Sequence, residues 1–308
     1  MKETHNSGAS TPPSTNQLTR IERVLEYIHS HIDQPLSVEL LAEKSCWSRW
    51  QLQRVFLHET QQTVAHYVRE LKLSLAAEQL LSSSERIVDI ALNSGFNSEV
   101  SFTRAFKQFF SCSPSHYRKR GQRIGLKTPL KATLPIYQAH EIKKRLLQIR
   151  VERKEGFYLY GTKGEINGLF SHDPNYTQAV PQIWQQFIDQ TGLRPPFDIA
   201  TYGVIDTRDI NEANPVPYWA GYSVSKNEAQ RLPQEQILFV PEQEYAVIPY
   251  TGPINELDKT LEWFLGAWLP ESKYRGIEGF EIEIYTVAFD YTSAEAQMEY
   301  WLPIELAR

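Results

Sequence analysis

Between residues 18 and 120 apolar residues return every three or four positions, and only Pro35 and Pro114 interrupt them. That spacing predicts a run of amphipathic helices. From about residue 144 the pattern changes. Leu147–Val151, Tyr218–Val224, Tyr245–Tyr250 and Gly279–Ala288 are short runs with strand composition. Two helical stretches, near Val180–Thr191 and Asn255–Trp268, lie between them. Residues 121–143 set Gly121, Gly125, Pro129 and Pro135 among basic side chains and predict a linker. Residues 1–17, rich in Ser, Thr, Pro and Asn, predict a disordered extension. The expected architecture is an all-α domain over 18–120, a basic linker over 121–143, and an α+β domain over 144–308.

The helical part contains an internal repeat. Arg54, Phe56, Thr63, His66 and Tyr67 match Arg104, Phe106, Ser113, His116 and Tyr117 at an offset of 50, and Leu41-Ala42 matches Ile90-Ala91 at 49. Each copy reads as a short helix, a tight turn and a second helix, the helix-turn-helix pattern. Ser37 is placed to cap the first helix of copy one, and Ser48 and Asn97 or Ser98 to cap the second helices. Gly95 suits a turn that needs positive φ, whereas Cys46 stands in the corresponding turn of the first copy.

At 100° per residue, Leu52, Val55 and Phe56 form the inward stripe of one second helix, and Phe102, Ala105 and Phe106 that of the other. The outward stripes are Trp50, Gln53, Arg54 and Leu57, and Val100, Thr103, Arg104 and Lys107. Arginine can bond guanine O6 and N7, glutamine can pair with adenine, and Trp50 and Val100 offer apolar surface to a thymine methyl. An ordinary solvated helix face is the competing reading, but it would seldom place Trp50 beside Leu57. The candidate DNA-contacting set is Ser48, Arg49, Trp50, Gln51, Gln53 and Arg54 in the first copy. In the second it is Ser98, Glu99, Val100, Ser101, Thr103, Arg104 and Lys107.

Residues 20–120 resemble the DNA-binding domain of AraC-type transcription regulators. The second half carries that signature in IVDIALNSGFNSEVSFTRAFKQFFSCSPSHYRKR, and SRWQLQRVF resembles the branch that controls multidrug, superoxide and acid responses. The resemblance implies two helix-turn-helix units joined by a long helix, about Thr63–Leu80, and an activator of stress or multidrug-resistance genes. Its implied partners are double-stranded promoter DNA and RNA polymerase. Three departures stand out. Ser111 occupies a usual glycine position, and Glu99 and Val100 replace a pair of glutamines. A carboxylate at Glu99 repels phosphate but accepts from cytosine N4.

The α+β part holds 5 of the 7 Trp and 12 of the 16 Tyr. In GFEIEIYTV, Phe280, Ile282, Ile284 and Thr286 share one face, and Glu281, Glu283, Tyr285 and Val287 the other. If the second face is buried, Glu283 needs a partner, which a cationic or hydrogen-bonding ligand would supply. If it is exposed, both glutamates are ordinary surface residues. YTGPINELDKTLEWFLGAWLP, IEIY and YWLPIEL resemble the closing pattern of GyrI-like effector-binding domains, a pair of β-α-β-β type repeats. That resemblance turns the Glu283 face inward and implies a small amphipathic ligand. The aromatic walls are expected from Tyr158, Tyr160, Trp219, Tyr222, Trp263, Trp268 and Tyr285.

The net charge of −5 conceals a polar layout. Residues 18–123 hold 14 Lys+Arg against 11 Asp+Glu, and 124–155 hold 8 against 3. Residues 156–308 hold 9 against 22. An anionic partner is expected at the first end only. The −13 of the last part favours cationic or neutral aromatic ligands, although screening limits its reach to about 8–10 Å. Cys46 and Cys112 make no CxxC pair, so no disulfide scaffold or Cys-rich zinc site is expected. No apolar run reaches the roughly 18 residues of a membrane span. These features predict a cytoplasmic, nucleoid-associated protein without cofactor or metal, acting as a monomer on DNA. No HExxH, GxSxG, GxGxxG or Walker motif occurs, and His29 and His31 point about 200° apart on a helix. Catalysis is not expected. The alternative class is a GyrI-like protein that sequesters or hydrolyses small molecules, with DNA binding secondary.

Overall fold

The computed structural model describes residues 15–132, 136–138, 141–143, 146–168, 173–195, 197–208, 215–287 and 289–307. Of the expected disordered extension, 1–14 lie outside these residues, while 15–17 open the first helix. Seven helices build the first part: α1 Thr15–Ser30, α2 Val38–Ser45, α3 Arg49–Thr60, α4 Val64–Ser82, α5 Ile87–Asn93, α6 Glu99–Phe110 and α7 Pro114–Arg120.

The repeat is carried by matched caps. Ser48 accepts from Gln51 N, Ser98 from Ser101 N, Thr63 from His66 N and Ser113 from His116 N. Each such cap adds about 1 kcal/mol. Both α3 and α6 end on a left-handed residue that is not glycine, Gln61 (φ 59°) and Ser111 (φ 57°). The turns before them pass through Cys46 (φ 55°) and Gly95 (φ 81°). Cys46 therefore adopts the geometry that glycine supplies in the second copy, at a cost of order 1 kcal/mol. Leu52 and Phe56 of α3 and Phe102 and Phe106 of α6 are fully buried, as their stripes require.

Residues 124–132 do not form a free linker. Leu126–Lys127 is strand β1 and Lys131–Ala132 strand β2, while Leu126 and Leu130 are buried. The paired tyrosines of the repeat hold this stretch at two points. Tyr117 Oη donates to Ile124 O (3.1 Å) and accepts from its N (3.0 Å), and Tyr67 Oη accepts from Leu130 N (2.9 Å). Ser74 on α4 accepts from Lys127 N (2.9 Å) between them. The remainder of the expected linker includes the ladder of β3, Ile136–Gln138, with β4, Glu141–Lys143. Residues 133–135 and 139–140 lie outside the described residues.

The second part follows with β5 Leu146–Leu147, β6 Arg150–Lys154, β7 Phe157–Ile166, α8 Tyr176–Thr191, β8 Thr201–Asp206 and β9 Val216–Val224. Then come α9 Lys226–Ala229, β10 Ile237–Val240, β11 Gln243–Thr251 and α10 Leu257–Trp263. A π-helical segment Phe264–Trp268 continues into α11 Leu269–Glu271, before β12 Tyr274–Gly276, β13 Phe280–Tyr285 and β14 Gln297–Leu306. The main sheet runs β1-β6-β11-β14-β13-β8-β9-β7-β10, antiparallel throughout, with β12 on β14. Its two β-α-β-β units, β7-α8-β8-β9 and β11-α10-β13-β14, meet where β8 pairs with β13. Among the described residues no helix is long and apolar enough to cross a membrane.

The two parts share one core. Leu73, Ala76, Ala77 and Leu80 of α4 belong to the same cluster as Leu126, Val151, Ala246, Trp263 and Trp268. A polar junction lies beside it. Glu78 of α4 accepts from Arg123 Nε (3.0 Å), Lys273 Nζ (3.0 Å) and Tyr274 Oη (3.2 Å), and Arg123 also reaches Glu244 (3.6 Å). Burial raises the Glu78 carboxyl, but Lys273 and Arg123 outweigh it and hold it below its ordinary value.

Candidate DNA-reading face and ligand cleft

The outward face of α3 and α6 stands clear of both cores. Trp50 is 64% exposed and Val100 79%. Arg49, Gln53, Arg54, Arg104 and Lys107 are exposed, and Thr103 is half-buried. The Arg54 guanidinium lies over the Trp50 ring at 5.1 Å, so the two present one stacked surface. A groove of about 550 Å³ lies between α2, α3 and the start of α4, lined by Trp50, Gln53, Arg54, Leu57, Val38 and Val64 among others. Some expected contacts are already engaged. Gln51 Oε1 accepts from Ser48 N to close a capping box, Ser101 Oγ donates to Ser98 O, and Arg49 pairs with Glu39 at 2.8 Å. Ser48, Gln51, Ser98 and Ser101 therefore set the helix starts, and the free donors of the face are concentrated at Gln53, Arg54, Arg104 and Lys107.

The second site lies at the seam of the two β-α-β-β units. Glu283 of β13 faces Gly203 of β8 in register and is 9% exposed. Its Oε2 accepts from Tyr218 Oη and from Tyr285 Oη, both at 2.7 Å. Trp184 Nε1 of α8 donates in turn to Tyr218 Oη at 3.1 Å, and the Trp184 ring meets Tyr285 edge-on at 5.5 Å. Burial pushes the Glu283 carboxyl up, and the two phenols pull it partly back. Both phenols are held well above their ordinary value by burial and by the neighbouring carboxylate. Among the described residues no cation pairs with Glu283. Gly203 makes the arrangement possible: a Cβ there would come within 2.3 Å of Glu283 Oε2 and of Tyr218 Oη.

The expected walls divide. Tyr285 touches the acid directly, and Trp263 and Trp268 are buried in the cluster that contains Tyr285. Tyr160 and Tyr222 pack on each other and, through Phe187, under α8. Tyr158 lies against Phe239 on the edge strand β10. Trp219 is a correction. It belongs to the opposite face of the sheet, with Leu159, Val204, Phe280 and Ile282, because its neighbour Tyr218 takes the cleft side. Among the described residues that cluster contains strand side chains alone. The residues absent from the expected set are Tyr218, Trp184, Gly203, Glu281 and Tyr300. Alternation in VPYWAGYSV already separates Tyr218 and Tyr222 from Trp219. The choice of face needed the register with β8.

Comparison with known proteins finds a family match in each half of the chain. Residues 41–120 match the helix-turn-helix domain family, and residues 147–305 match the GyrI-like small molecule binding domain family. The regulatory protein SoxS of Salmonella typhimurium is 43% identical over 100 residues, 32% of this chain and 94% of its own. The right origin-binding protein of Escherichia coli K12 is 28% identical over 278 residues, covering 88% of this chain and 91% of its own. The transcriptional regulator Rob of Salmonella typhimurium is 28% identical over 308 residues, covering 92% and 97%. A duplicated helix-turn-helix reader fused to a sheet with a phenol-held acid at its seam thus belongs to the GyrI-like family, in its AraC-type transcription regulators.

Proposed function

We propose that this chain activates stress or multidrug-resistance promoters and that a cationic or neutral aromatic amphiphile in the cleft sets its output. The DNA half of this reading rests on the matched faces of α3 and α6, which are to enter two successive major grooves about 34 Å apart. Arg54 and Arg104 read guanine edges, Gln53 an adenine, and Trp50 and Val100 thymine methyls. RNA polymerase is the further partner, the chain acts as a monomer on an asymmetric site, and its place is the cytoplasmic nucleoid. The working boundaries are 18–120 for the reader and 144–308 for the sensor.

The ligand half rests on one observation. Glu283 is a buried carboxylate satisfied by two neutral phenols and by no cation among the described residues. A buried charge without a counter-charge is costly, so a cationic ligand gains an ion pair there and aromatic walls around it. The acid is nearly closed off by Trp184 of α8 and Tyr285 of β13, so binding requires Trp184 to give way. Calorimetry and Trp fluorescence with benzamidine as an aromatic monocation test this reading. Wild type is expected to bind with a change in Trp emission, and Glu283→Gln to lose at least tenfold in affinity. Equal affinity in the two proteins removes Glu283 from the site. Binding here is read as recognition; among the described residues Glu283 has phenols and an indole around it and no nucleophile paired with a base.

A further inference from the structure

Glu283 is not the only acid on that floor. Glu281 projects from the same face of β13, two residues away, which sets the two Cα atoms about 7 Å apart. Its Oε2 accepts from Tyr300 Oη on β14, the residue that lies directly across from Glu283. Glu281 is ringed by protein yet keeps partial contact with solvent, as a side chain on the floor of a cleft does. The groups that face it are the Tyr300 hydroxyl and the Glu283 carboxylate, with Tyr218 and Tyr285 beyond.

Several other partly buried acids among the described residues are paired with cations. Glu78 pairs with Arg123 and Lys273, and Glu244 with Arg123. Glu152 and Glu299 both pair with Arg150, and Asp206 with Arg208. Glu281 and Glu283 have phenol donors and, among the described residues, no cation partner. A phenol satisfies one lone pair and leaves the charge uncompensated. Two such acids side by side repel each other, and a single positive centre relieves only one of them.

We propose that Glu281 is a second recognition carboxylate, and that the cleft selects ligands with two cationic nitrogen centres set about 7 Å apart on a flat apolar frame. This deepens the reading of Glu283 as a cation site and rests on it. Burial raises both carboxyls, and the Glu283 charge raises Glu281 further. A cation beside a raised carboxyl favours its ionised form, so a dication is expected to release more protons than a monocation.

The test compares benzamidine with 1,4-benzenedicarboxamidine, which has the same ring and a second amidinium. Calorimetry in two buffers of different ionisation enthalpy gives affinity and proton release together. Wild type is expected to favour the diamidine at least tenfold and to release more protons with it. Glu281→Gln, an uncharged near-isostere, should bring the diamidine to the benzamidine level, abolish the extra proton release and leave benzamidine within about twofold. Glu283→Gln should weaken both probes. An unchanged diamidine preference and proton count in Glu281→Gln overturn the second site while leaving Glu283 in place. The same holds if wild type binds benzamidine and shows no preference. Failure of wild type to bind either probe overturns both readings. Thermal melts of each variant separate loss of fold from loss of recognition.

Discussion

The two functional regions of this molecule are built on opposite plans. The reader displays its chemistry. Trp50, Arg54, Val100 and Arg104 stand in solvent on two helices whose buried stripes do the folding. The cleft encloses its chemistry. Glu283, Tyr218 and Tyr285 are buried in the same layer that holds the sheet and helices together. In the first region recognition and stability fall on different side chains. In the second they fall on the same ones. Reader residues can therefore change without touching the fold, whereas a change in the cleft alters the ligand site and the core together.

The stretch that joins the regions is the place to break this contrast hardest. A chain ended after Arg123 loses Leu126 and Leu130 from the core and the bonds from Tyr117, Ser74 and Tyr67 to the following backbone. Two buried leucines and four hydrogen bonds correspond to on the order of 5–10 kcal/mol. Denaturant melts should show that loss against a chain ended after Ala132, and the shorter fragment should bind DNA less well. Next is Gly203→Ala. Its Cβ would overlap Glu283 and Tyr218, so about 3 kcal/mol of stability should disappear together with ligand binding. DNA affinity measured below the melting point should hardly move.

Arg54→Ala and Arg104→Ala sharpen the other side. Each should cost roughly 1–3 kcal/mol in specific DNA binding and relax one base position. Their thermal melts should shift by less than about 0.5 kcal/mol, as expected for exposed positions. Band shifts that match wild type for both variants would remove the reader assignment. The smallest effect is a pH trend. Burial holds the Glu283 carboxyl above its ordinary value of 4.5. Folding therefore favours the protonated form, and wild type loses that contribution as pH rises from 4.5 through the raised value. Glu283→Gln does not titrate, so its stability relative to wild type should increase across this range and be equal or lower below it. A flat difference from pH 4 to 8 would show that the carboxyl is not held high.

The helical part was legible because its signals are local. A capping serine and an apolar residue every three or four positions lie within one or two turns of the chain, the repeat shows in the residue order itself, and Ser37, Ser48 and Ser98 cap as expected. Gly95 takes the positive φ expected of it. Even Cys46, which lacks the freedom of glycine, takes a left-handed turn because the flanking helices dictate it. In the sheet, alternation established which residues share a face of β13, but both faces of that strand are buried, with Phe280 and Ile282 on one and Glu283 and Tyr285 on the other.

Residue order alone thus settled the helices, the repeat, the outward stripes and the pairing of Glu283 with Tyr285 on one strand face. The choice of Tyr218 over Trp219, the need for Gly203, the partnership of Glu281 with Tyr300 and the docking of residues 124–132 on α4 came from tertiary structure. Each of those joins residues from different strands or helices, 19 to 65 positions apart where side chains bond directly. A helix writes its neighbours into the next four residues, whereas strand register is set by packing across the whole domain, and no local pattern records it.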